Sequence, residues 1–296
     1  MLTRPWPLSF LLRFGGELPN SYLALDVETS GFDLKRDVIT EIGHCLVVDG
    51  QVTNRLNLVV DWRGHPIVSE DWLSERMNRL HDSMASQGVT CRQNWARMEA
   101  EGLKPDEVFG TYLELFKTLR QKETVFPFVG HNIQFDESML HANLTGFGYA
   151  RSFAFKDDEF FDTNALERWR QYLERLPLGA TLQTFPDRRW LPTAQDTLRS
   201  YFKRVGRLGG SQIKSKLSEH LVPRYKFVER FGIDVTKAHT ADHDAYIAHL
   251  LMQELRNAVA PWPAPEPAPT VAVLSEAARR PSVLLDVKRV RGQRST

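Results

Sequence analysis

The sequence contains little cysteine and no long apolar run, and these two absences exclude several classes of protein. Its two cysteines, Cys45 and Cys91, form neither a metal-binding motif nor a disulfide framework. Cys45 stands in an apolar segment, which predicts a small buried side chain. The apolar stretch near the N-terminus, residues 7–12, is interrupted by Ser9 and is too short for a signal sequence or a membrane span. We therefore expect a cytoplasmic protein without a membrane segment.

An excess of charge of one sign is also missing. The 38 basic residues are balanced by 37 acidic residues, so the formal net charge is only +1. A protein that coats nucleic acid without specificity usually has a clear basic excess, so any contact with nucleic acid must come from local patches. The 42% of hydrophobic residues is enough for one domain with a substantial core, and it excludes disorder as a description of the whole chain.

The order of apolar segments predicts an α/β fold. Residues 21–30, 39–50 and 51–62 are rich in strand-forming side chains and follow one another closely, which favours an antiparallel meander. Residues 124–132 predict another strand, and a further strand is expected just before Asp162. These strands, joined by helices, would form a mixed sheet.

Helical periodicity marks the segments between and after the strands. Residues 106–120 and 242–260 repeat apolar side chains at helical spacing, and residues 135–148 predict a helix that ends at a glycine. The apolar positions are Val108, Tyr112, Leu113, Leu115 and Phe116 in the first of these helices, and Ile247, Leu250, Leu251 and Leu255 in the last.

Changes in composition divide the chain. We expect an N-terminal extension over residues 1–20 and a folded domain over residues 21–260. Proline is dense in residues 261–270 and cannot form a helix or sheet interior at that density, so an extended linker is expected there. Residues 271–296 form a basic tail. The tail is either a solubilising end or a tethered peptide that docks on a polymerase or another replication partner.

Two carboxylates stand on the first predicted strand. Asp26 and Glu28 are two residues apart, so both side chains point to one face of the strand. Two ionised carboxylates on one face of an interior strand repel each other and are costly to desolvate, and a divalent cation would offset both costs. The alternative is a strand end at which both carboxylates emerge into water.

Two later segments place acids at the starts of helices. Asp136 follows a strand and a short loop, and an aspartate in that position is most often an N-cap. Residues 239–244 open the final helix, where Asp242 would be the cap and His239 an ordinary surface residue. Taken alone, neither segment indicates a functional site.

Taken together and in order, the three segments resemble the motifs of the DEDDh exonucleases, the family of the DnaQ proofreading subunit, ribonuclease T and oligoribonuclease. The first motif of that family is Asp-x-Glu-Thr after an apolar strand, the second is His-Asn-x-x-Phe-Asp, and the third is His-x-Ala-x-x-Asp. Residues 25–33 (LDVETSGFD), 131–136 (HNIQFD) and 239–244 (HTADHD) match them. Three motifs in the right order are far more specific than any one of them.

Two accessory segments strengthen the resemblance. Residues 37–43 (DVITEIG) are similar to the second strand of the family, and Phe161-Asp162-Thr163 is similar to its Asp-Thr step. Thr240 stands where the tyrosine subclass would have its tyrosine, so the histidine subclass is favoured. The chain departs from a minimal member by extra residues between about 168 and 215, and this insertion leaves the substrate specificity open but not the chemistry.

The resemblance implies a ribonuclease-H-like fold, a mixed five-stranded sheet flanked by helices, with two bound Mg²⁺ or Mn²⁺ ions. It implies that Asp26, Glu28 and Asp244 hold one ion and that Asp26 and Asp136 hold the other. His239 would take the proton from the nucleophile, since a histidine titrates near neutral pH. His243 is the competing candidate for that role. The substrate-binding residues implied are Thr29, Gly31, Phe32, His131, Asn132 and Phe135.

The activity implied is removal of nucleotides from single-stranded 3′ ends of DNA as nucleoside 5′-monophosphates. A 3′→5′ exoribonuclease with the same site stays open, because recognition of the 2′-hydroxyl is a local detail. A non-catalytic nucleic-acid-binding polymerase accessory module also stays open, as does a metal phosphoesterase that acts on small molecules.

Basic residues clearly outnumber acidic ones between residues 185 and 230, and aromatic residues stand among them. One interpretation is a cationic groove with aromatic platforms for a single strand. The other is a solvated helical face whose aromatic side chains belong to the core. The aromatic residues concerned are Phe185, Trp190, Tyr201, Phe202, Tyr225 and Phe227.

Overall fold

The computed structural model describes residues 18–86, 95–121, 126–175, 189 and 196–258, and every structural statement below concerns these residues. Most of the predicted N-terminal extension, the linker and the tail lie outside them. So do Cys91, Phe185, Trp190 and much of the expected insertion. Within the described part of the chain, no helix has the length and apolar character needed to cross a bilayer.

Five strands form one mixed sheet in the order β3-β2-β1-β4-β5. β1 pairs antiparallel with β2, and β2 pairs antiparallel with β3, which is the predicted meander. β4 is parallel to β1 and β5 is parallel to β4. The α/β prediction is therefore confirmed, and the sheet is compatible with a ribonuclease-H-like fold. The strands are β1 (Tyr22–Thr29), β2 (Ile39–Val48), β3 (Gln51–Val59), β4 (Phe128–Gly130) and β5 (Phe160–Asp162).

Helices flank this sheet, and α9 lies against β1 and β2. The described α-helices are α1 (Glu70–Ser86), α2 (Trp95–Glu101), α3 (Pro105–Leu119), α4 (Ile133–Gly146), α5 (Thr163–Glu174), α6 (Leu198–Val205), α7 (Val222–Arg224), α8 (Phe227–Phe231) and α9 (Ala241–Ala258). Short 3₁₀ or π turns occupy residues 210–212, 217–221 and 235–237.

The apolar positions that the helical periodicity predicts are the ones that the structure buries. All four predicted apolar positions of α9 are buried, as are those of α3 except Leu113, which is only partly buried. Cys45 is buried on β2, as expected. The ends of some strands and helices differ from the prediction. β4 has only three residues, and α4 begins at Ile133, earlier than the sequence indicates.

The N-terminus of α9 approaches β2 unusually closely, and glycine at position 43 permits the contact. Gly43 lies opposite Asp26 in the β1–β2 ladder. A methyl group on Gly43 would stand 1.9 Å from the backbone nitrogen of Asp242. Because that atom belongs to the main chain of α9, no side-chain rotation could relieve the overlap. This contact therefore sets the position of the third motif over β1.

We expect Gly43→Ala to destabilise the protein by at least about 1–3 kcal/mol, the usual cost of overpacking. Gly110→Ala is the matched control, because an added methyl on that exposed residue of α3 meets nothing within 4 Å. It should raise stability by roughly 0.5–1 kcal/mol, since alanine favours helices over glycine. Denaturant unfolding of both variants checks this, and equal effects would contradict the proposed packing.

Candidate metal centre

The site begins with β1, whose apolar side chains are buried on both faces. Asp26 and Glu28 are the two residues of the strand that are only partly buried, and they share one face. Burial raises the pKa of Asp26 well above its usual range, and the charges of Asp136, Glu28 and Asp244 raise it further. The two carboxylates thus face a crowded acidic cleft, and the alternative of a strand end that opens freely into water does not hold.

Asp136 lies in the first turn of α4, and its carboxylate points at β1. Its Oδ1 accepts a hydrogen bond of 2.9 Å from the backbone N–H of Val27. The N-cap of α4 is Asn132, in the left-handed region with φ of 70°, so the capping interpretation of Asp136 is wrong. Burial raises the pKa of Asp136 to about 7, and the charges of Asp162 and Asp244 contribute. Asp136 therefore links the second motif to the first.

The third motif lies where the chain enters α9. His239 adopts a left-handed conformation with φ of 63°, and its backbone N–H donates to Oδ2 of Asp244 at 3.2 Å. Oδ1 of Asp244 is buried without a hydrogen-bond partner among the described residues. Burial raises the pKa of Asp244 to about 7. α9 begins at Ala241, so Asp242 lies within its first turn and is not the cap, and its carboxylate pairs with Arg55 at 2.7 Å.

These elements bring the predicted ligands together. Glu28, His239 and Asp244 each offer a ligand atom, and the three atoms lie within 4.8 Å of one another. Asp26 interacts electrostatically with Asp136 as well as with Glu28 and Asp244. The four predicted carboxylates and His239 therefore occupy one cleft, where β1 ends and α4 and α9 begin.

The residues present fit a divalent cation. Hard carboxylate oxygens are the donors that Mg²⁺ and Mn²⁺ prefer. A buried carboxylate oxygen without a partner, as in Asp244, is costly unless a cation or a proton meets it. The mutual repulsion of Asp26, Asp136 and Asp244 would be relieved in the same way.

The two histidines of the third motif have different surroundings. Burial lowers the pKa of His239, which keeps its ring neutral and able to accept a proton near neutral pH. His243 is buried near the charges of Arg55 and Asp242, whereas His239 offers a ring nitrogen to the group of possible ligands that contains Glu28 and Asp244. The geometry therefore supports His239 over His243 as the base.

Glu41 is a functional residue to which the sequence analysis assigned no role. It is buried on β2, its Oε1 accepts from the backbone N–H of Ala241 at 2.9 Å, and its Oε2 pairs with Arg97 at 2.5 Å. Glu41 thus holds the start of α9 against the sheet, while Arg97 neutralises the added negative charge. The glutamate of the DVITEIG segment was the available signal, but nothing in the sequence identified Arg97 as its partner.

Asp162 has a similar role for the second motif. Its Oδ1 accepts from the backbone N–H groups of Asn132, Asn164 and Ala165. The bond to Asn132 is 3.0 Å long and supports the left-handed residue that precedes α4. Burial raises the pKa of Asp162 to about 6. The Asp-Thr step therefore positions the start of α4, whose first turn carries Asp136.

Three of the predicted substrate-binding residues lie at the end of β1 or in the loop that follows it. Phe32 is 79% exposed, and its ring lies 5.8 Å from that of Phe135, so it is not a core residue. The hydroxyl of Thr29 is turned inward, where it donates to the carbonyl of Gly31. A methyl on Gly31 would overlap the ion pair of Arg76 with Asp37, so glycine is required there by packing.

The two remaining predicted substrate contacts differ from each other. Asn132 is exposed at the edge of the cleft. His131 has protein partners at both ring nitrogens, the Thr163 hydroxyl at 3.1 Å and the Ser215 carbonyl at 2.7 Å. These contacts argue against a direct contact of His131 with substrate and indicate a positioning role, in which it ties residues 213–216 to the second motif.

The basic segment does not provide aromatic platforms in its described part. Tyr201, Phe202 and Phe227 are buried, and Tyr225 is partly buried. Several of the arginines in this segment are paired with acids, among them Arg204 with Asp196 and Arg224 with Glu174. These observations favour a solvated face with core aromatics over a cationic groove.

Asp136 and Asp244 predict that the metal-free protein loses stability as the pH rises. Both carboxyls have a folded-state pKa of about 7, above the ordinary value of 3.8. Between these values the unfolded chain has released protons that the folded chain retains. The free energy of unfolding should therefore fall as the pH rises through this window and level off above it. Mg²⁺ or Mn²⁺ should restore more stability above pH 7 than below it.

Urea unfolding in EDTA across this pH range, with and without added metal, measures both effects. Asp244→Asn should flatten the profile, whereas Asp82→Asn, at a side chain that is 84% exposed, should leave it unchanged. If the wild-type protein and Asp244→Asn share one profile, the buried acid cluster does not control stability.

Comparison with known proteins gives this arrangement no family name. No protein-family model matches the chain, and no curated protein is significantly similar to it. The resemblance to the DEDDh exonucleases stands on the three motifs and on the geometry that surrounds them.

Proposed function

We propose that the chain is a metal-dependent 3′→5′ exonuclease that hydrolyses DNA from its 3′ end and releases nucleoside 5′-monophosphates. The observation that carries the proposal is the meeting of three distant motifs at one cleft. Glu28, His239 and Asp244 offer ligand atoms within 4.8 Å of one another. Asp26 and Asp136 join them through β1 and α4. A cluster of carboxylates that repel one another is unfavourable for stability, which supports a role in chemistry.

The proposed ligands are the four carboxylates of the cleft, Asp26, Glu28, Asp136 and Asp244. Two divalent cations bound there would neutralise the charge that develops on the attacking and leaving oxygens of a phosphodiester. The charges of Asp136, Glu28 and Asp244 all act on Asp26, so Asp26 is the candidate for a ligand that both cations share. The hydrogen bond from Val27 to Asp136 fixes one acid, and the bond from the His239 N–H to Asp244 fixes another.

His239 is the proposed proton acceptor. Its lowered pKa leaves a ring nitrogen with a free lone pair near neutral pH. The nitrogen lies in the same group of atoms as Glu28 and Asp244, so a water molecule held by the acids would be within its reach. The left-handed backbone at His239 turns its side chain into the cleft at the start of α9. The leaving 3′-oxygen departs on the opposite side of the phosphorus atom in an in-line displacement.

Binding of the terminal nucleotide is assigned to the aromatic pair beside the cleft. Phe32 and Phe135 lie 5.8 Å apart, and Phe32 is freely accessible. Aromatic faces stack on any base, so this contact favours an unpaired 3′ end over a specific sequence. Stacking on these rings does not distinguish deoxyribose from ribose, so an exoribonuclease with the same site is the alternative, and assays with DNA and RNA substrates decide between them.

Replacing a metal ligand should abolish turnover. Asp26→Ala and Asp244→Ala each remove a donor from the cleft, so the two-ion arrangement cannot form. The assay uses 3′-labelled single- and double-stranded DNA and RNA with Mg²⁺ or Mn²⁺. We expect metal-dependent release of 5′-monophosphates by the wild-type protein. Asp49→Ala, at an exposed turn residue of the same type, serves as the control.

The same panel tests the rival functions. Full activity of either ligand variant would rule out the proposed site. An accessory module would bind these substrates without cleaving them, and a small-molecule phosphoesterase would cleave nucleotide esters but ignore oligonucleotides. Faster cleavage of RNA than of DNA would select the exoribonuclease.

Replacing the proposed base should slow the reaction without removing the metal. His239→Ala is expected to lower the rate by about 10²–10⁴-fold, the usual contribution of a general base. The acid limb of the pH–rate profile should disappear with it. His243→Ala is the matched control and should retain most of the activity, because His243 does not belong to the group of possible ligands formed by Glu28, His239 and Asp244. If His243→Ala loses the acid limb instead, the assignment is wrong.

A further inference from the structure

A groove of about 550 Å³ lies beside the proposed active site and has no part in the mechanism above. The loop after β1 forms one wall with residues 34–37, and the C-terminal half of α4 forms the second with Ala142 and Gly146. The third wall is formed by Ile67, Val68 and Ser69, which lead into α1, and by Trp72 in its first turn. The groove is therefore built from elements that also carry the first and second motifs.

α4 connects this groove to the cleft. Phe135 lies in the first turn of α4, and Ala142 lines the groove two turns later. Their separation of seven positions corresponds to about 10 Å along the helix axis. Phe32 contacts Phe135, and Leu34, two residues further on, lines the groove. The loop thus runs beside α4 from the proposed terminal-nucleotide site to the groove.

The groove exposes apolar side chains that would ordinarily be covered. Ile67 is 68% exposed and Leu34 is 45% exposed, and Trp72 is partly buried beside them. Exposed apolar surface of this kind indicates a binding surface. The flat apolar faces of nucleobases suit such a groove, since stacking on an aromatic ring tolerates every base.

The charged side chains that line the groove are Lys35, Arg36 and Asp37. Lys35 and Arg36 are exposed, and neither side chain has an ion-pair partner within the described residues. The acid between them and the core, Asp37, is neutralised by Arg76 at 2.9 Å. Two unpaired cations beside an apolar wall complement the phosphates and bases of a single strand. An apolar protein partner would not require them.

We propose that this groove, formed by Leu34–Asp37, Ile67–Ser69, Trp72 and the C-terminal half of α4, is a subsite for the third nucleotide from the 3′ end of a single strand. A base lies against Ile67 and Trp72, and phosphates contact Lys35 and Arg36. The proposal rests on the proposed exonuclease function and adds to it a preference for substrate length. Oligonucleotides that reach the groove bind more tightly than a dinucleotide, which ends before it.

Equilibrium binding in EDTA tests the subsite without turnover. Fluorescence anisotropy of a labelled hexathymidylate gives its affinity, and competition by unlabelled dithymidine monophosphate gives the affinity of the dinucleotide. The double variant Lys35→Glu/Arg36→Glu should weaken hexamer binding tenfold or more and leave the dinucleotide within about twofold. Loss of two phosphate contacts should also reduce the slope of log K against log salt by about 1.4, at roughly 0.7 per contact for a single strand.

Two further variants separate the subsite from general electrostatics. Lys203→Glu/Arg207→Glu makes the same charge change at exposed residues around α6, which packs on β5 at the other edge of the sheet. It should leave the preference for the hexamer intact. Ile67→Asp removes an exposed apolar contact and should weaken the hexamer but not the dinucleotide. Equal loss for both ligands, or equal loss in the α6 control, would overturn the proposal.

The outcome is distinguishable from failure of the exonuclease proposal. If the wild-type protein cleaves 3′ ends but the groove variants retain the full preference for the hexamer, the subsite alone is refuted. If no protein cleaves any substrate, the proposed function is refuted, whatever the binding data show. A dimer that dissociates on Ile67→Asp, with unchanged hexamer affinity, would assign the groove to a second copy of the chain and refute the subsite.

Discussion

Repulsion among buried carboxylates is the constraint on which this structure depends. Asp26, Asp136 and Asp244 are close enough that each raises the cost of ionising another, and burial raises that cost for all three. A fold selected for stability alone would place apolar or neutral side chains at these positions. The protein instead supports the acids with backbone N–H donors, so the cluster is held in place rather than relaxed outward.

That support comes from residues that are far apart in the sequence. Val27 donates to Asp136 across 109 positions, and Ala241 donates to Glu41 across 200. Gly43 adds the close approach of β2 to α9, which no larger residue would allow. The cleft therefore forms only when the sheet and the N-termini of α4 and α9 come together. Disturbing any one of these contacts moves ligands that belong to other elements.

The sequence predicted well those features that depend on local pattern. The buried strand around Asp26, the apolar face of α9 and the buried Cys45 all follow from periodicity and composition. It failed where the partner is distant. The local position of Asp136 alone favoured a helix cap, and only the resemblance to the exonuclease motifs indicated a metal ligand; nothing in the sequence identified Val27 on β1 as its hydrogen-bond partner. Composition also could not tell that Tyr201, Phe202 and Phe227 point inward.

The difference between local composition and distant partners also explains how a chain with a net charge of +1 could bind a polyanion. A count of basic residues treats every cation as available, yet many arginines here are already engaged, as Arg97 is with Glu41 and Arg204 with Asp196. What matters for phosphate binding is an unpaired cation near the cleft. Lys35 and Arg36 satisfy that condition beside the loop that carries Phe32, whereas the richer basic segment around Arg224 largely does not. The affinity for a single-stranded nucleic acid would then depend on where the unpaired cations lie rather than on how many there are. A few such cations beside an apolar wall can bind the phosphates while the wall contacts the bases of the same strand.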